Sequence, residues 1–366
     1  MPATAFPLCT MPTFPLAAPI AAGRAPVLAR LARCRDVLRS AAGPRALPSR
    51  TETHHSPVTS ACRLTKSSTP FRSSETRRAV SSARVTRVRG AVMSAAAEAG
   101  KAVLVTGGND GIGLALCRQL AAEHGCRVLM ASRSAERGEA AVASVEPGSN
   151  GSVELVVMDV AEDASVAEAA AEVARRLGGD SLFAVVNNAG IGLSSSATGE
   201  QVVNTNLFGT RRVCDAFTPL LSQSEGRIVN VGSGSGPMYV GGCPPQAQAF
   251  LCRAPESWEQ IEAWVSGEYG LGSRFDGDRG YGLSKALVSC YTMLLAQRQP
   301  QLTSSCVSPG FINTKLTAGW GASKAPEQGT VSIRHCLFSP LEGNGWYYGS
   351  DAVRSPLHFM RNPGQP

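Results

Sequence analysis

Long apolar runs, cysteine pairs and histidines are all scarce in this chain of 366 residues. No uninterrupted apolar stretch reaches the ~18 residues a membrane helix needs, so no membrane span is predicted. Eleven cysteines occur, but none form a C-x-x-C pair and their spacing matches no zinc pattern, so no metal centre is expected. They read as small buried residues. Cys243 and Cys252, in a segment without clear periodicity, are the candidates for redox chemistry. Past residue 100 the histidines are His124, His335 and His358, and none accompanies a nucleophile-elbow motif, which excludes a serine hydrolase.

Acidic residues are nearly missing from the first 97 positions. There Asp36, Glu52 and Glu75 face 15 basic residues, 14 of them Arg, for a net of +12; the other 20 basic and 25 acidic residues leave the body at −5. A stretch rich in Arg, Ser, Thr and Pro, with no sustained apolar period, cannot bury a core and has the composition of an organelle transit peptide. Its length and Ser/Thr/Pro content favour a plastid over a mitochondrion, with processing near Val88–Ala97. Its arginines are scattered with few aromatics among them, so no nucleic-acid partner is expected. The organisation expected is a leader over 1–97 and one folded domain over 98–366.

The body alternates strand and helix. Ala102–Thr106 is a short apolar run that reads as a buried parallel strand, followed by Gly107-Gly108-Asn109-Asp110-Gly111-Ile112-Gly113 and a helical pattern from Leu114 to His124. Strand, glycine turn and helix in that order make a dinucleotide-phosphate site. The glycines admit the pyrophosphate close to the backbone, and the helix start offers N–H groups and positive dipole. The second strand, Arg127–Ala131, ends at Ser132-Arg133. A carboxylate there would bind the ribose 2′-hydroxyl of NAD; Arg133 suits a 2′-phosphate instead, so NADP(H) is the cofactor expected.

Helices are then predicted over Ala135–Val145, Ala164–Leu177, Gln201–Leu221 and Tyr281–Gln297. Strands are predicted over Val153–Met158, Leu182–Val186, Arg227–Val231 and Leu302–Val307, with a last edge strand within Gly345–Ser350. The strands end at Asp159, Asn187-Asn188-Ala189-Gly190, Gly232-Ser233-Gly234 and Pro309-Gly310. This is the order of an α/β, Rossmann-type doubly wound parallel sheet in three α/β/α layers, with its crevice at the C-terminal ends of the strands.

Tyr281-Gly282-Leu283-Ser284-Lys285 holds a tyrosine and a lysine four residues apart, on one face of a helix. An ammonium ~4 Å from the phenolate at an effective dielectric of ~20 contributes roughly 4 kcal/mol, enough to bring a tyrosine from ~10 to about 7. The pair is a candidate proton donor to a carbonyl oxygen.

Together these residues resemble the short-chain dehydrogenase/reductase family over about 100–350. The resemblance implies that Tyr281 is the proton donor, that Lys285 lowers its pKa and binds the nicotinamide ribose, and that Ser233 holds the substrate oxygen, with Ser235 as its competitor. Asn206 would hold a water that relays protons to Lys285, or serve only as a satisfied helix residue. Asp159 would contact the adenine edge or cap the helix that follows. Asn188, Ala189 and Gly190 would support the cofactor, and Pro309, Gly310 and Thr314 would flank its carboxamide. The cofactor-binding set is completed by Thr106, Gly107, Asn109, Gly111, Ile112, Gly113, Ser132 and Arg133.

Ser233 and Tyr281 are 48 positions apart, far more than in plain members of the family. The extra segment, about 237–280, resembles the helical insertion of the carbonyl reductase branch, which implies a monomer. Trp258 and Trp264 in it are expected to pack on the body. Asp110 stands where that branch often carries a basic residue and removes one charge that would support a 2′-phosphate. About 311–327 resembles a substrate lid, with Trp320 closing over substrate or packing on the body. The function expected is NADPH-dependent reduction of a small-molecule ketone, aldehyde or quinone. The alternatives are a 3-oxoacyl-carrier-protein reductase and a non-catalytic NADP(H)-binding scaffold or sensor.

Overall fold

The computed structural model describes residues 100–145, 151–192, 197–266 and 278–365. The leader expected over 1–97 lies outside them, as does 267–277 of the expected insertion. The first half of the sheet region runs β1 (Ala102–Thr106), α1 (Gly111–His124), β2 (Arg127–Ser132), α2 (Ala135–Ala143), β3 (Ser152–Val157), α3 (Asp163–Leu177) and β4 (Ala184–Asn187). After α4 (Gly199–Val203) and α5 (Gly209–Phe217) comes β5 (Arg227–Val231). Three short helices follow: α6 (Ser235–Gly241), α7 (Pro245–Leu251) and α8 (Trp258–Ser266). The chain then forms α9 (Asp278–Arg298), β6 (Thr303–Val307), α10 (Val331–Phe338) and β7 (Trp346–Tyr348).

All seven strands pair in parallel, in the order β3-β2-β1-β4-β5-β6-β7. The chain winds outward from β1 in one direction and from β4 in the other, so the order reverses between these neighbours, and a crevice opens at their C-terminal ends. The Val-, Leu- and Ala-rich strands alternate side chains between two cores. Leu104, Leu129, Val185 and Ile228 face the layer of α3, α5 and α9. Val103, Val105, Val128, Val186 and Val229 face the layer of α1 and α10. Burial on both faces is why these strands read as apolar runs. Among the described residues no helix is long and apolar enough to cross a membrane.

Three departures from the predicted elements have local causes. Helix α1 begins at Gly111, not Leu114, because the Asp110 carboxylate accepts the Gly111 N–H at 2.8 Å and caps it; Gly125, at φ 66°, ends it. The single helix predicted over Gln201–Leu221 is broken by a π-helical turn at Asn204–Phe208 and closed by a 3₁₀ turn at Thr218–Leu220 containing Pro219. The Asn204 side chain, at the start of the π turn, donates to Ala161 O and accepts from Arg212, tying it to the loop after β3. The insertion around Cys243 and Cys252 is more regular than its sequence suggests: Pro245 opens α7 and Cys252 ends it. Both thiols are half-buried, and burial pushes them up, away from reactive thiolates.

Helix α8 lies against α5 and α9. Trp258 meets Phe208 and Tyr291 edge-on, each with ring centres 5.5 Å apart, and the Arg211 guanidinium sits 4.2 Å over it. Trp264 stacks on Phe250 at 4.8 Å. Trp258 therefore packs on the body, and Trp264, stacked on Phe250 of α7, is buried in the same core. A buried polar chain crosses the same layer: Asn187 Nδ2 donates to Asn230 Oδ1 at 2.8 Å, and Asn230 Nδ2 donates to Thr292 Oγ1 at 2.9 Å.

Candidate active site

A cleft of about 490 Å³ runs along the C-terminal ends of the strands, from Arg133 and Arg137 past the glycine turn to Tyr281 and Lys285. Asn109, Gly111, Ile112, Gly113, Asp159, Asn188, Ala189, Gly190, Pro309 and Thr314 also line it. The turn is wound too tightly for side chains. Gly107 and Gly111 have φ of 62° and 51°, and a Cβ on Gly113 would strike Gly107 O and come within 2.6 Å of Asn188 Nδ2. A backbone shaped in this way, at the start of a fourteen-residue helix, fits a pyrophosphate, and the cleft has the volume of a cofactor site.

Several expected contacts stand behind this surface. The Thr106 hydroxyl accepts from the N–H groups of Asn188 and Ala189, at 3.0 and 2.9 Å, and Asn188 Nδ2 donates back to Thr106 O at 2.9 Å. This reciprocal pair joins β1 to β4 at the point where the strand order reverses. Ser132 is buried and bonded to Ser134. Gly310 packs against Ser350. Asp159 faces the cleft and also accepts the Ala161 N–H at 3.0 Å, whereas the residue that precedes α3 as its cap is Glu162.

At the other end Tyr281 and Lys285 rise from the first turns of α9 and are 7% and 5% exposed. Ser233, just past β5, lies beside the phenol, and its Oγ accepts the Ser235 N–H at 3.1 Å. Ser235 itself begins α6. Asn206, in the π turn, uses its whole amide as a clamp. Oδ1 accepts from Ile191 N at 2.9 Å, while Nδ2 donates to Ile191 O at 2.9 Å and Ser284 Oγ at 3.1 Å. Gly190 separates Asn206 from Lys285: a Cβ there would lie 3.2 Å from Asn206 Oδ1 and 3.6 Å from Lys285 Nζ.

The Tyr–Lys electrostatics differ from the sequence expectation. Lys285 Nζ donates to Val231 O at 2.8 Å and lies 5.7 Å from the centre of the Tyr281 ring. Burial raises the phenol above its usual range, with Ser233 offsetting part of the rise. Burial also lowers Lys285 to about 8. The lysine is turned toward a strand carbonyl, and neither side chain is solvated, so the pair alone does not bring the phenol to neutrality.

This predicts a stability effect. The ordinary lysine value is ~10.4, so the folded chain holds this proton less tightly than the unfolded chain does. Lys285 therefore costs stability below about pH 8, and the cost fades as pH rises toward the ordinary lysine range. The shift corresponds to about 3 kcal/mol, against ~1–2 kcal/mol for leaving Val231 O without its donor. Lys285→Met should thus raise the Tm of the dinucleotide-free protein by a few degrees near pH 6.5, a gain that disappears near pH 10. A Tm difference that does not change with pH would contradict this electrostatic account.

Sequence reasoning missed Arg137 and Lys315. Arg137, in the first turn of α2, lines the same end of the cleft as Arg133; a second arginine close behind the strand end was the available signal. Glu136 is not part of that lining. Lys315, in the segment after β6, pairs with Asp110 at 2.5 Å, so the acid expected to weaken phosphate binding has its charge matched across the cleft. Only tertiary structure brings these two together. Trp320, in the expected lid, is 47% exposed.

The family description "short chain dehydrogenase" matches residues 101–245. The chain is 30% identical to a (+)-neomenthol dehydrogenase of Arabidopsis thaliana, over 68% of this chain and 95% of that protein. It is 29% identical to the carbonyl reductase (NADPH) 1 of Homo sapiens, over 66% of this chain and 92% of that protein. The structure of salutaridine reductase from Papaver somniferum is similar with a TM-score of 0.57 at 26% identity, covering 68% of this chain and 99% of that one.

Proposed function

The chain belongs to the short-chain dehydrogenase family, and on that footing we propose that it is an NADPH-dependent reductase of ketones, aldehydes or quinones. The observation that carries this reading is that Tyr281 and Lys285 line the same cleft as the glycine turn, with Ser233 beside the phenol. NADP(H), when bound, supplies the hydride. The N–H groups and glycines of 107–113 hold its pyrophosphate, and Arg133 and Arg137 hold its 2′-phosphate. The Ser233 hydroxyl and the Tyr281 phenol hydrogen-bond the substrate oxygen and stabilise the charge that builds there. Tyr281 then donates its proton to that oxygen. A phenol raised by burial is protonated throughout the neutral range, which suits a step that consumes the proton. Lys285 holds the nicotinamide ribose and takes up protons by way of water near Asn206.

The packing of α8 on α5 and α9 supports a monomer. The composition of 1–97 supports import into a plastid. The test is to follow NADPH and NADH oxidation by the full chain with quinones, aromatic aldehydes, cyclic ketones and 3-oxoacyl thioesters. NADPH-dependent turnover of quinones and ketones is expected. Turnover of the thioester alone would replace this reading with a 3-oxoacyl-carrier-protein reductase, and NADPH binding without turnover would replace it with a scaffold.

A further inference from the structure

The last strand and the segment after it reach the serine side of the cleft from outside the family's glycine and Tyr–Lys motifs. Tyr347, in β7, donates its hydroxyl to Ser233 O at 3.2 Å. Ser350 packs on Gly310, 3.0 Å from where a Cβ would stand. The chain then folds back along α6. His358 O lies 2.8 Å from the Cβ position of Gly241, and Met360 Sδ lies 3.0 Å from that of Gly234, the residue directly after Ser233. Met360 is thus held against the turn that presents Ser233.

This placement is fastened. The Arg361 side chain is only 4% exposed; Nη2 donates to Asp351 Oδ1 at 2.5 Å and Nε to Ser355 Oγ at 3.1 Å. The other Asp351 oxygen accepts the Gly364 N–H at 3.0 Å. An ion pair removed from solvent and bonded on several sides holds its geometry far better than a surface pair. Met360 is the neighbour of this anchor yet is itself 49% exposed. Met238, 59% exposed, stands four residues after Gly234 and so on the same face of α6. Two half-exposed thioether side chains therefore stand on the turn and helix that follow Ser233, and the charged neighbour of Met360, Arg361, is buried and already paired. Unbranched, polarisable methionines suit large apolar partners of varied shape.

We infer that Met360 and Met238 form a soft apolar wall on the substrate side of Ser233, which selects carbonyl compounds with bulky alicyclic or aromatic skeletons over small ones. The inference rests on the reductase reading and names its substrate class. The test compares kcat/KM of the full chain for 9,10-phenanthrenequinone and 2,3-butanedione, with NADPH, in wild type, Met360→Ala, Met360→Glu, Met238→Ala and Phe359→Ala. Loss of a matched apolar contact changes such discrimination by about tenfold. The quinone-to-dione ratio should fall by about that factor in Met360→Ala, further in Met360→Glu, and in the same direction in Met238→Ala. The ratio in Phe359→Ala, whose ring packs on His358, should stay at the wild-type value. An unchanged ratio in both alanine variants of the methionines, or a parallel fall for both substrates, overturns the wall while leaving the reductase reading intact. If the wild type binds NADPH but reduces neither substrate, the reductase reading falls and the wall falls with it.

Discussion

Replacing Tyr281 with Phe is expected to slow carbonyl reduction by ~10²–10⁴-fold, the range contributed by a positioned acid or base, while NADPH still binds. The substitution removes one oxygen and keeps the ring, which packs against Gly192. The buried face of α9 that carries it is unchanged, so the fold should survive. In the proposed mechanism this takes away the proton donor and one of two hydrogen bonds to the substrate oxygen. A Ser233→Ala change leaves the phenol in place and removes the other hydrogen bond. In the proposed mechanism both side chains act on one oxygen, so the double variant should be much less impaired than the product of the single effects. Single-turnover rates with saturating NADPH, with dinucleotide affinity measured separately by fluorescence, separate chemistry from binding. A Phe variant that retains more than about a tenth of the rate removes Tyr281 from its role, since general acid catalysis contributes more than that.

Arg133→Ala should raise the KM for NADPH by about 10–100-fold and leave that for NADH nearly unchanged. A charged hydrogen bond contributes ~1.5–3 kcal/mol, and ~1.4 kcal/mol is one decade. Arg133 directly follows β2 and Arg137 lies in the first turn of α2, and both residues line the same end of the cleft. Removing Arg137 as well should bring the two cofactors close to parity. A parallel rise in both KM values after Arg133→Ala would assign the arginine to the shared part of the dinucleotide and leave the choice of cofactor unexplained.

The sheet was legible because burial on both faces demands continuous apolar runs, and the runs at 102–106, 127–131 and 227–231 are bounded by glycine or polar breaks. The glycine turn and the Tyr281–Lys285 pair were legible because their chemistry depends on close spacing along the chain. What the sequence hid depends on distant partners. The π turn at Asn204–Phe208 owes its place to Ala161 and Arg212, and no local residue announces it. Asp110 read as an isolated acid because Lys315 is about two hundred positions away. The phenol was expected near neutrality from spacing alone, but the ammonium is turned toward Val231 O, and burial decides the outcome. The placement of the segment after β7 was hidden too, since nothing in its composition points to Gly234.

The asparagine chain from Asn187 through Asn230 to Thr292 sets an angle as well as a contact. Thr292 follows Tyr281 by eleven residues, close to three whole turns of α9, so the two share one meridian of the helix about 16 Å apart. If α9 rolled about its own axis, the phenol would swing away from Ser233 only as Asn230 lost its acceptor in a dry core, where an unmet donor costs ~1–3 kcal/mol. The bearing of the phenol is thus locked from the far end of the helix by a bond that takes no part in the chemistry.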